Sequence, residues 1–291
     1  MLFRSEEFTG PTRVVGRLPD VTGGRDAGYL ADLVAISARS KSRARSEYTD
    51  YLGISAGYHD AAVSVVSHTG DIVFASHSER YSGVKNDSCL DRDLLQPCMQ
   101  WNLRRIALYE RPWAHNLQQV MSGQHCFGPW TARGYVKKYL ETCWNSVRHI
   151  PVTAYPHHLS HASAGFQTSP FDQAAVVVID AIGELDTISI YRAWYDSRGR
   201  ARYRRVWRRG YPHSIGLFYS AITKAVGLKP LEEEYITMGM SAYGSSAGSD
   251  TLLQNLISNV REVKFKHNHH MGIDSDLLPN HNAQDVAASA Q

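Results

Sequence analysis

The sequence predicts an α/β protein in which two similar β-meanders are each followed by helices. Short runs that alternate apolar and polar residues, separated by turns rich in Gly and Asp, occur twice along the chain. Segments with apolar residues at helical spacing lie between and after them. The chain has 291 residues, of which 43% are hydrophobic and 20% charged. It is therefore long enough to bury a sizeable core without a metal ion or a disulfide to hold the fold.

The first meander is predicted to begin at Tyr51, after a poorly patterned stretch. Residues 1–48 are rich in Gly, Arg, Ser and Thr, and we expect a leader or partly disordered arm in which only residues 29–36 could form a short helix. Three strands follow, with a hairpin turn between the second and third: residues 51–55, 61–67 and 72–76. The later elements are helices near 90–108 and 132–144, a strand at 147–154 and a helix at 157–166.

The second meander repeats this arrangement. Its predicted strands are 174–179, 187–195 and 201–207, and its predicted helices lie near 213–226, 233–242 and 252–260. Ile54-Ser55 would correspond to Ile179-Asp180, and Asp60 would lie near the position of Asp186. Such a weak repeat suggests a duplicated domain of the actin-like ATPase (ribonuclease-H-like) type, in which two halves face each other across a ligand cleft. The alternative is a chance likeness between two β-hairpins.

This repeat gives the expected domain boundaries. Residues 49–172 would form a first, complete actin-like subdomain, and residues 173–291 a second one. A helix is predicted to start at Asp285, and no cap or other stop signal follows it. We therefore expect the second subdomain to be incomplete at its C-terminal end.

Composition restricts the class of protein further. The net charge of +3 is too small to imply nucleic-acid or membrane binding. Two stretches are locally basic, 41–45 and 202–209, and the second is best explained as a strand with a solvated face. The cysteines form no CxxC pair and predict reduced thiols: Cys89, Cys98, Cys126 and Cys143. The N-terminus lacks an apolar signal region and no apolar run could span a membrane, so a soluble cytoplasmic protein is expected.

The densest cluster of chemically useful residues is His157-His158-Leu159-Ser160-His161. On a helix, His157 and His161 are four residues apart and share one face. This spacing suits two ligands of one divalent metal ion. Asp180, at the predicted end of a strand, could add a carboxylate, and His158 lies about 100° around the helix and could have another role. The alternative is a polar helix end. A second group, residues 267–270, lies in a polar stretch and is more simply solvated.

The first Gly turn carries Tyr58-His59-Asp60. Histidine side chains titrate near physiological pH, so His59 could act as a general base on an acceptor hydroxyl. Asp60 could orient His59 or bind a metal ion. Backbone amides in such a turn could approach a phosphate or carboxylate. The simpler alternative is a plain turn, since Asp and Gly favour turns in any case.

Two further motifs are weaker. Glu79-Arg80-Tyr81 and Lys85 follow a predicted strand and could bind an anionic substrate, or could form a charged surface loop. Glu233-Glu234-Tyr235 precedes Met238-Gly239-Met240 and a further glycine. Glycines there permit close packing or close approach of a ligand. A helix and a turn packed in the core explain the second motif equally well.

Taken together, these segments resemble the carbamoyltransferase family that includes nodulation-factor and aminoglycoside-antibiotic carbamoyltransferases. The resemblance spans roughly Tyr51 to Gln291, and the matching segments occur in order. They are GISAGYHDAAVSVV, SERYSGVKND, HHLSHASAGFQTSPF, AAVVVIDAIGELDTISIY, SIGLFYSAITKAVGL, EEEYITMGMSAYG and DVAASAQ. The combination of HHLSHA with an acidic turn after the next strand is specific.

The resemblance implies an N-terminal actin-like domain that transfers a carbamoyl group, followed by a YrdC-like domain that makes carbamoyl adenylate from ATP and carbamoyl phosphate. The family's metal ion, typically iron, is held by an HxxxH pair, an Asp at the next strand end and a later Asp. The first three correspond to His157, His161 and Asp180; the later Asp would lie beyond Gln291. The family's His-Asp in the first turn corresponds to His59 and Asp60, the expected catalytic residues. Gly83 and Ala242 depart from the family pattern, which often has Arg or Lys and Pro there.

The expected function is thus ATP-dependent O-carbamoyl transfer, with Fe(II) or another divalent ion bound and ATP with Mg as co-substrate of the full reaction. Further candidates contact substrate or nucleotide: Lys85, Arg80, His158, Gly183, Glu184, Asp186, Glu234 and Gly239. The expected partners are carbamoyl phosphate or carbamoyl adenylate, a hydroxyl acceptor and an activation domain supplied by another chain, with no membrane. Two alternatives remain: a non-catalytic nucleotide- or partner-binding remnant, and half of a split enzyme acting on a modified nucleobase.

Overall fold

A computed structural model of the chain describes residues 8–12, 50–121, 128–141, 143–248, 254, 256–259, 261–265, 283–284 and 286. Two compact units are formed, one by Met1–Ala174 with Ala193–Arg204 and the other by Ala175–Arg192 with Arg205–Gln291. Several sequence predictions fall outside the described residues: the helix over 29–36, the histidines of 267–270, Cys126 and most of the helix expected from Asp285.

The first unit contains the first meander and the elements that follow it. Its strands are β1 (Phe8–Thr12), β2 (Asp50–Ser55), β3 (Ala62–Val66), β4 (Ile72–His77), β5 (Leu103–Leu108) and β6 (Val152–Ala154). Its α-helices are α1 (Glu79–Ser82), α2 (Arg92–Leu95), α3 (Pro112–Met121), α4 (Ala132–Tyr139) and α5 (His157–Gln167), and two 3₁₀ turns cover Gln96–Gln100 and Asn145–His149.

A five-stranded mixed sheet has the order β4-β3-β2-β5-β6. The meander β2–β3–β4 is antiparallel, whereas β5 runs parallel to β2 and β6 runs parallel to β5. Helical crossovers of the chain separate the parallel strands, as parallel pairing requires. Because β2, β5 and β6 are parallel, the residues that follow them emerge at the same edge of the sheet.

The core of this unit lies on the faces of β2, β3 and β5. Leu52, Val65 and Ile106 are completely buried, and Leu94, Val136 and Leu140 cover them from the helices. Alternate residues of β2 and β3 are buried, which is the period-2 pattern of a strand with one face on a core. Burying one such aliphatic side chain contributes about 1.5–3 kcal/mol to folding.

The second meander consists of β7 (Gln173–Gly183), β8 (Asp186–Tyr195) and β9 (Arg200–Gly210), in a sheet of order β1-β9-β8-β7. These strands contribute residues to both units. The helices α6 (Ile215–Ala225) and α7 (Glu234–Ser241), a 3₁₀ turn at Ser246–Gly248 and the short strands β10 (Ile257–Asn259) and β11 (Lys264–Phe265) follow.

Helix α6 begins with a close fit to β7 within the second unit. Ser214 caps the helix by accepting from the Leu217 amide at 3.1 Å, and its hydroxyl lies 2.7 Å from the Ala181 carbonyl. A Cβ at Gly216 would lie 2.8 Å from the Ala181 backbone, so only glycine fits there. Farther along, Ile222 packs with Leu256 and Val286.

The α/β class predicted from the sequence is confirmed. The structure corrects four local predictions. Residues 103–108, predicted as helix, form β5, because parallel pairing to β2 outweighs local helical spacing. The strand predicted over 147–154 starts only at Val152, after a 3₁₀ turn. Residues 257–259, predicted as helix, form β10. Residues 8–12, expected to be unstructured, pair with β9. None of the helices in the described part of the chain has the length and apolar character of a membrane span.

Candidate functional site

Helix α5 carries the two histidines at the predicted spacing. The Nε2 atoms of His157 and His161 lie 3.0 Å apart, and their ring centroids 4.9 Å apart. The start of the helix is tied to the end of β5, because the Ser160 hydroxyl donates to the Tyr109 carbonyl at 2.7 Å and the Tyr155 amide donates to the Leu108 carbonyl at 3.1 Å. The residues that follow β5 are therefore brought to His157.

One of these residues is Glu110, whose side chain is only 7% exposed. Its Oε2 lies 3.3 Å from Nδ1 of His157 and 3.4 Å from Nδ1 of His115. Burial alone would raise the pKa of Glu110, but the hydrogen bonds and charges of His115 and His157 outweigh it and lower the pKa to about 2. Glu110 is therefore ionised near neutral pH.

An ionised carboxylate only accepts hydrogen bonds, so Nδ1 of His157 is the donor. In a neutral imidazole the proton then sits on Nδ1 and the lone pair is on Nε2, the atom that faces His161. Two nitrogens bound at about 2.1 Å to one ion at right angles lie about 3 Å apart. The separation of the two Nε2 atoms, 3.0 Å, matches that geometry, so this pair fits a divalent metal ion.

Asp180 belongs to the second unit, and its place beside the two histidines stays a prediction. The expectation that it ends a strand is wrong, because β7 continues to Gly183. Its Oδ1 accepts from the Ala181 amide at 2.7 Å, and its carbonyl accepts from the Ser214 hydroxyl at 3.1 Å. The backbone around Asp180 is thus fixed by the start of α6.

The first Gly turn, residues 56–61, presents His59 and Asp60 to solvent, with side chains 60% and 50% exposed. Nδ1 of His59 lies 2.9 Å from Oδ2 of Asp60. The amides of Ala56, Gly57 and Ala61 donate to groups within the chain at 2.7–2.8 Å. These three amides are therefore not available to a phosphate. If the turn binds an anion through its backbone, it must use other amides than these.

The structure brings the cationic motif after β4 close to this turn. In the β3–β4 pairing His77 lies opposite Ala62, so β4 ends beside the turn. Ligand atoms of Asp60, His77 and Glu79 lie within 4.8 Å of one another. Nε of Arg80 donates to Nε2 of His77 at 3.1 Å, and Nζ of Lys85 lies 3.5 Å from Glu79. His77 was missed by sequence reasoning, although its place before Glu79 in HSER was visible.

A cavity of about 230 Å³ in the first unit lies against the same turn. Glu110 and His115 form its acidic and imidazole walls, and Tyr58, Tyr139 and Lys138 are also in its lining. Tyr58 lies between the turn and the cavity wall, because its ring centroid is 4.8 Å from that of His59 and 6.2 Å from that of His115. A chain of contacts thus runs from His59 through Tyr58, His115 and Glu110 to His157.

The remaining candidates lie in varied surroundings. His158, on the other side of α5, is 2% exposed and lies inside the first unit. In the second unit Gly183 and Glu184 are buried, and Asp186 pairs with Arg205 at 2.7 Å and Arg208 at 3.2 Å. Glu234, at the start of α7, accepts from the Ser220 hydroxyl at 2.6 Å and the Leu231 amide at 2.5 Å. Apart from its chain neighbours and its own helix backbone, no described atom lies within 4 Å of a Cβ built at Gly239, so packing against other elements does not require that glycine.

The fold and the site define an α/β protein with a two-histidine candidate metal centre and an exposed His–Asp pair. The chain belongs to the carbamoyltransferase family: the model for the carbamoyltransferase N-terminus matches residues 114–278. It is 31% identical over 245 residues to an uncharacterised protein of Synechocystis, covering 76% of this chain and 39% of that protein.

Two relatives of lower identity also match this chain. An uncharacterised protein of Methanocaldococcus jannaschii is 28% identical over 213 residues, which cover 73% of this chain and 36% of the relative. The nodulation protein NolNO of Sinorhizobium fredii is 26% identical over 200 residues, which cover 65% of this chain and 28% of the relative. The matched part of the chain thus spans between 28% and 39% of the length of these three curated relatives.

Proposed function

We propose that this chain carries the carbamoyl-transfer half of an ATP-dependent O-carbamoyltransferase. It takes a carbamoyl group from carbamoyl adenylate, made from ATP and carbamoyl phosphate by a YrdC-like domain, and places it on an acceptor hydroxyl. Membership of the carbamoyltransferase family supports carbamoyl transfer in general. The single observation that carries the site assignment is the pair of Nε2 atoms 3.0 Å apart on α5, which fits a shared metal ion. We further propose an actin-like arrangement of the two meanders.

His59 acts as the general base in this proposal. Because the Asp60 carboxylate only accepts, Nδ1 of His59 donates to it at 2.9 Å and the lone pair of the neutral ring is on the exposed Nε2. The acceptor oxygen attacks the carbamoyl carbon while its proton passes to Nε2 of His59. The bond from that carbon to the phosphate oxygen breaks, and AMP leaves with the electron pair. Positioned bases of this kind contribute about 10²–10⁴-fold to a rate.

His157, His161 and Asp180 would hold a divalent ion, with iron(II) the first expectation. Such an ion supplies positive charge beside the phosphate of the adenylate. On the protein side, Arg80 and Lys85 add cationic groups near the first turn, where an anionic leaving group would be stabilised. Asp60 keeps the His59 ring oriented throughout.

The proposal is tested by supplying synthetic carbamoyl adenylate, so that no activation domain is needed. The purified chain is loaded with Fe(II) under anaerobic conditions and incubated with aminoglycosides, amino-sugar oligosaccharides and nucleosides. Mass spectrometry should find one carbamoyl group on a hydroxyl of one acceptor class, and the His157→Ala/His161→Ala double variant should not form that product. If release of AMP is the same with and without protein for every acceptor, the chain does not perform the transfer.

A further inference from the structure

The carboxylate of Glu110 is buried and is shared by two imidazoles, those of His115 and His157. It lies two residues after the end of β5, and Pro112 then starts α3, which carries His115. The carboxylate is therefore held between the end of a central strand, one helix that follows it and the start of α5. Burying a charge in this way is costly unless it is well paired.

The buried carboxylate of Glu110 lies against one specific nitrogen of the His157 ring. Its Nδ1 faces Glu110 at 3.3 Å, while its Nε2 faces His161 at 3.0 Å, so the two ring nitrogens have separate partners. Ring contacts limit the alternatives, because the Tyr109 ring lies edge-on to His157 with centroids 5.2 Å apart. Rotating the imidazole to exchange its nitrogens would remove both polar contacts.

We propose that Glu110 is a positioning residue that fixes the tautomer and ring orientation of His157, so that Nε2 is the metal-binding atom. The carboxylate accepts a hydrogen bond from Nδ1–H, so the proton stays on Nδ1 and the lone pair is on Nε2, the nitrogen directed at His161. The same charge makes the imidazole a more basic ligand. His115 holds the carboxylate from the other side, at 3.4 Å.

This inference rests on the proposed metal site but extends it to a residue for which neither motif spacing nor family resemblance assigns a role. It also joins the metal site to the cavity, because Glu110 and His115 both line that space. A ligand in the cavity that hydrogen-bonds to Oε2 of Glu110 would compete with His157 for that oxygen. Glu110 therefore couples the cavity, which it lines, to the proposed metal ligand His157, which it contacts.

The test uses Glu110→Gln, which keeps the size of the side chain but removes the charge and one of two equivalent oxygens. Glu141→Gln is the matched control, because Glu141 pairs with Arg133 elsewhere in the same unit. Thermal unfolding of both variants checks that the fold is kept. Co²⁺ titrated into metal-free protein reports affinity, and its absorption spectrum reports the ligand set.

A second measurement needs no metal. Nitrogen NMR of metal-free protein labelled in its histidine rings distinguishes a proton on Nδ1 from one on Nε2. In the wild type and in Glu141→Gln, His157 should carry the proton on Nδ1, and in Glu110→Gln the Nε2-protonated form should grow. Co²⁺ affinity should fall about 10–100-fold in Glu110→Gln only.

The two measurements separate the two hypotheses. If wild-type protein fails to bind Co²⁺, the proposed metal site is wrong, while the nitrogen spectra still decide whether Glu110 sets the tautomer. If the wild type binds Co²⁺ and Glu110→Gln binds it equally well with an unchanged tautomer, Glu110 is not a positioning residue. A tautomer change together with weakened binding supports both hypotheses.

Discussion

The two meanders share a strand–turn–strand pattern but differ in the turn that joins their first two strands. In the first, six residues (56–61) leave His59 and Asp60 at least half exposed. In the second, residues 184–185 alone connect β7 to β8, and Glu184 is 5% exposed. In this pair of turns, the acidic residue of the longer turn faces solvent and that of the shorter turn faces the interior.

Different hydrogen bonds hold the two turns in place. The open turn is held from its base, by the amides of Ala56 and Gly57. The closed turn is held at its tip: the Leu185 carbonyl accepts from the Tyr211 amide at 3.1 Å, and a Cβ at Gly210 would come within 3.0 Å of the same oxygen. The open turn keeps its tip available for chemistry, whereas the closed turn uses its tip for packing. We expect substitutions in the two turns to affect different properties.

The largest expected effect is on catalysis in the open turn. His59→Ala should lower the rate of carbamoyl transfer from carbamoyl adenylate by about 10²–10⁴-fold, because the acceptor loses its base. Leu185→Ala in the closed turn, where the side chain is 38% exposed, is the matched control and should keep the rate. Stopped assays with mass detection of the product measure both. Equal rates for His59→Ala and wild type would show that His59 is not the general base.

The next effect concerns Glu110 and acid stability. The pKa of Glu110 in the folded protein is about 2, below the 4.5 of an unperturbed glutamate. Its contribution to the free energy of unfolding is therefore fully present above about pH 4.5 and is lost as the pH falls toward 2. A shift of this size corresponds to about 3 kcal/mol. Acid unfolding of metal-free protein, followed by circular dichroism, should show a shallower loss of stability below pH 4.5 for Glu110→Gln than for wild type. Parallel curves would contradict this.

A smaller effect compares the backbone of the two turns directly. Asp60 has φ 48° and Glu184 has φ 63°, both in the left-handed region that favours glycine. Asp60→Gly should raise the free energy of unfolding by up to about 1 kcal/mol, because glycine adopts the left-handed backbone without strain. Removing the half-exposed Asp60 side chain should cost little in return. Glu184→Gly should lower it by about 1 kcal/mol or more, because a buried side chain is removed. Urea unfolding of the two variants checks the opposite signs, and equal signs would contradict the contrast.

The smallest effect is expected at Asp186, the first residue of β8. Its pairs with Arg205 and Arg208 involve guanidinium groups that are 40% and 50% exposed. Pairs of this kind contribute about 0.2–1 kcal/mol each. Asp186→Asn should therefore reduce stability by less than about 2 kcal/mol and lose most of that difference at high salt. If it also abolished transfer with the fold intact, Asp186 would contact substrate.

Much of the first unit follows from local sequence. The period-2 alternation of β2 and β3, the hairpin turn between β3 and β4 and the helical spacing of His157 and His161 predict the observed elements. Residues 103–108 show the limit of that approach. Their spacing permits a helix, and only pairing with β2, some fifty residues earlier, makes them a strand.

Glu110 shows the same limit at the site. In Tyr109-Glu110-Arg111-Pro112 it resembles a charged loop residue, and its burial depends on α3 and α5 packing beside the end of β5. The available signal was its position just after a buried strand, where parallel sheets gather functional groups. At Asp180 the predicted strand end was wrong, because the apolar run over 174–179 did not show that β7 continues to Gly183.

The Tyr135 hydroxyl contacts both the amide and the carbonyl of Ala56, 79 residues away in sequence. It accepts from the amide at 2.8 Å and donates to the carbonyl. The base of the His59 turn is thus tied to α4, and it opens only if the Tyr135 side chain leaves or the helix shifts. Hydrogen exchange at the Ala56 amide therefore reports the docking of α4.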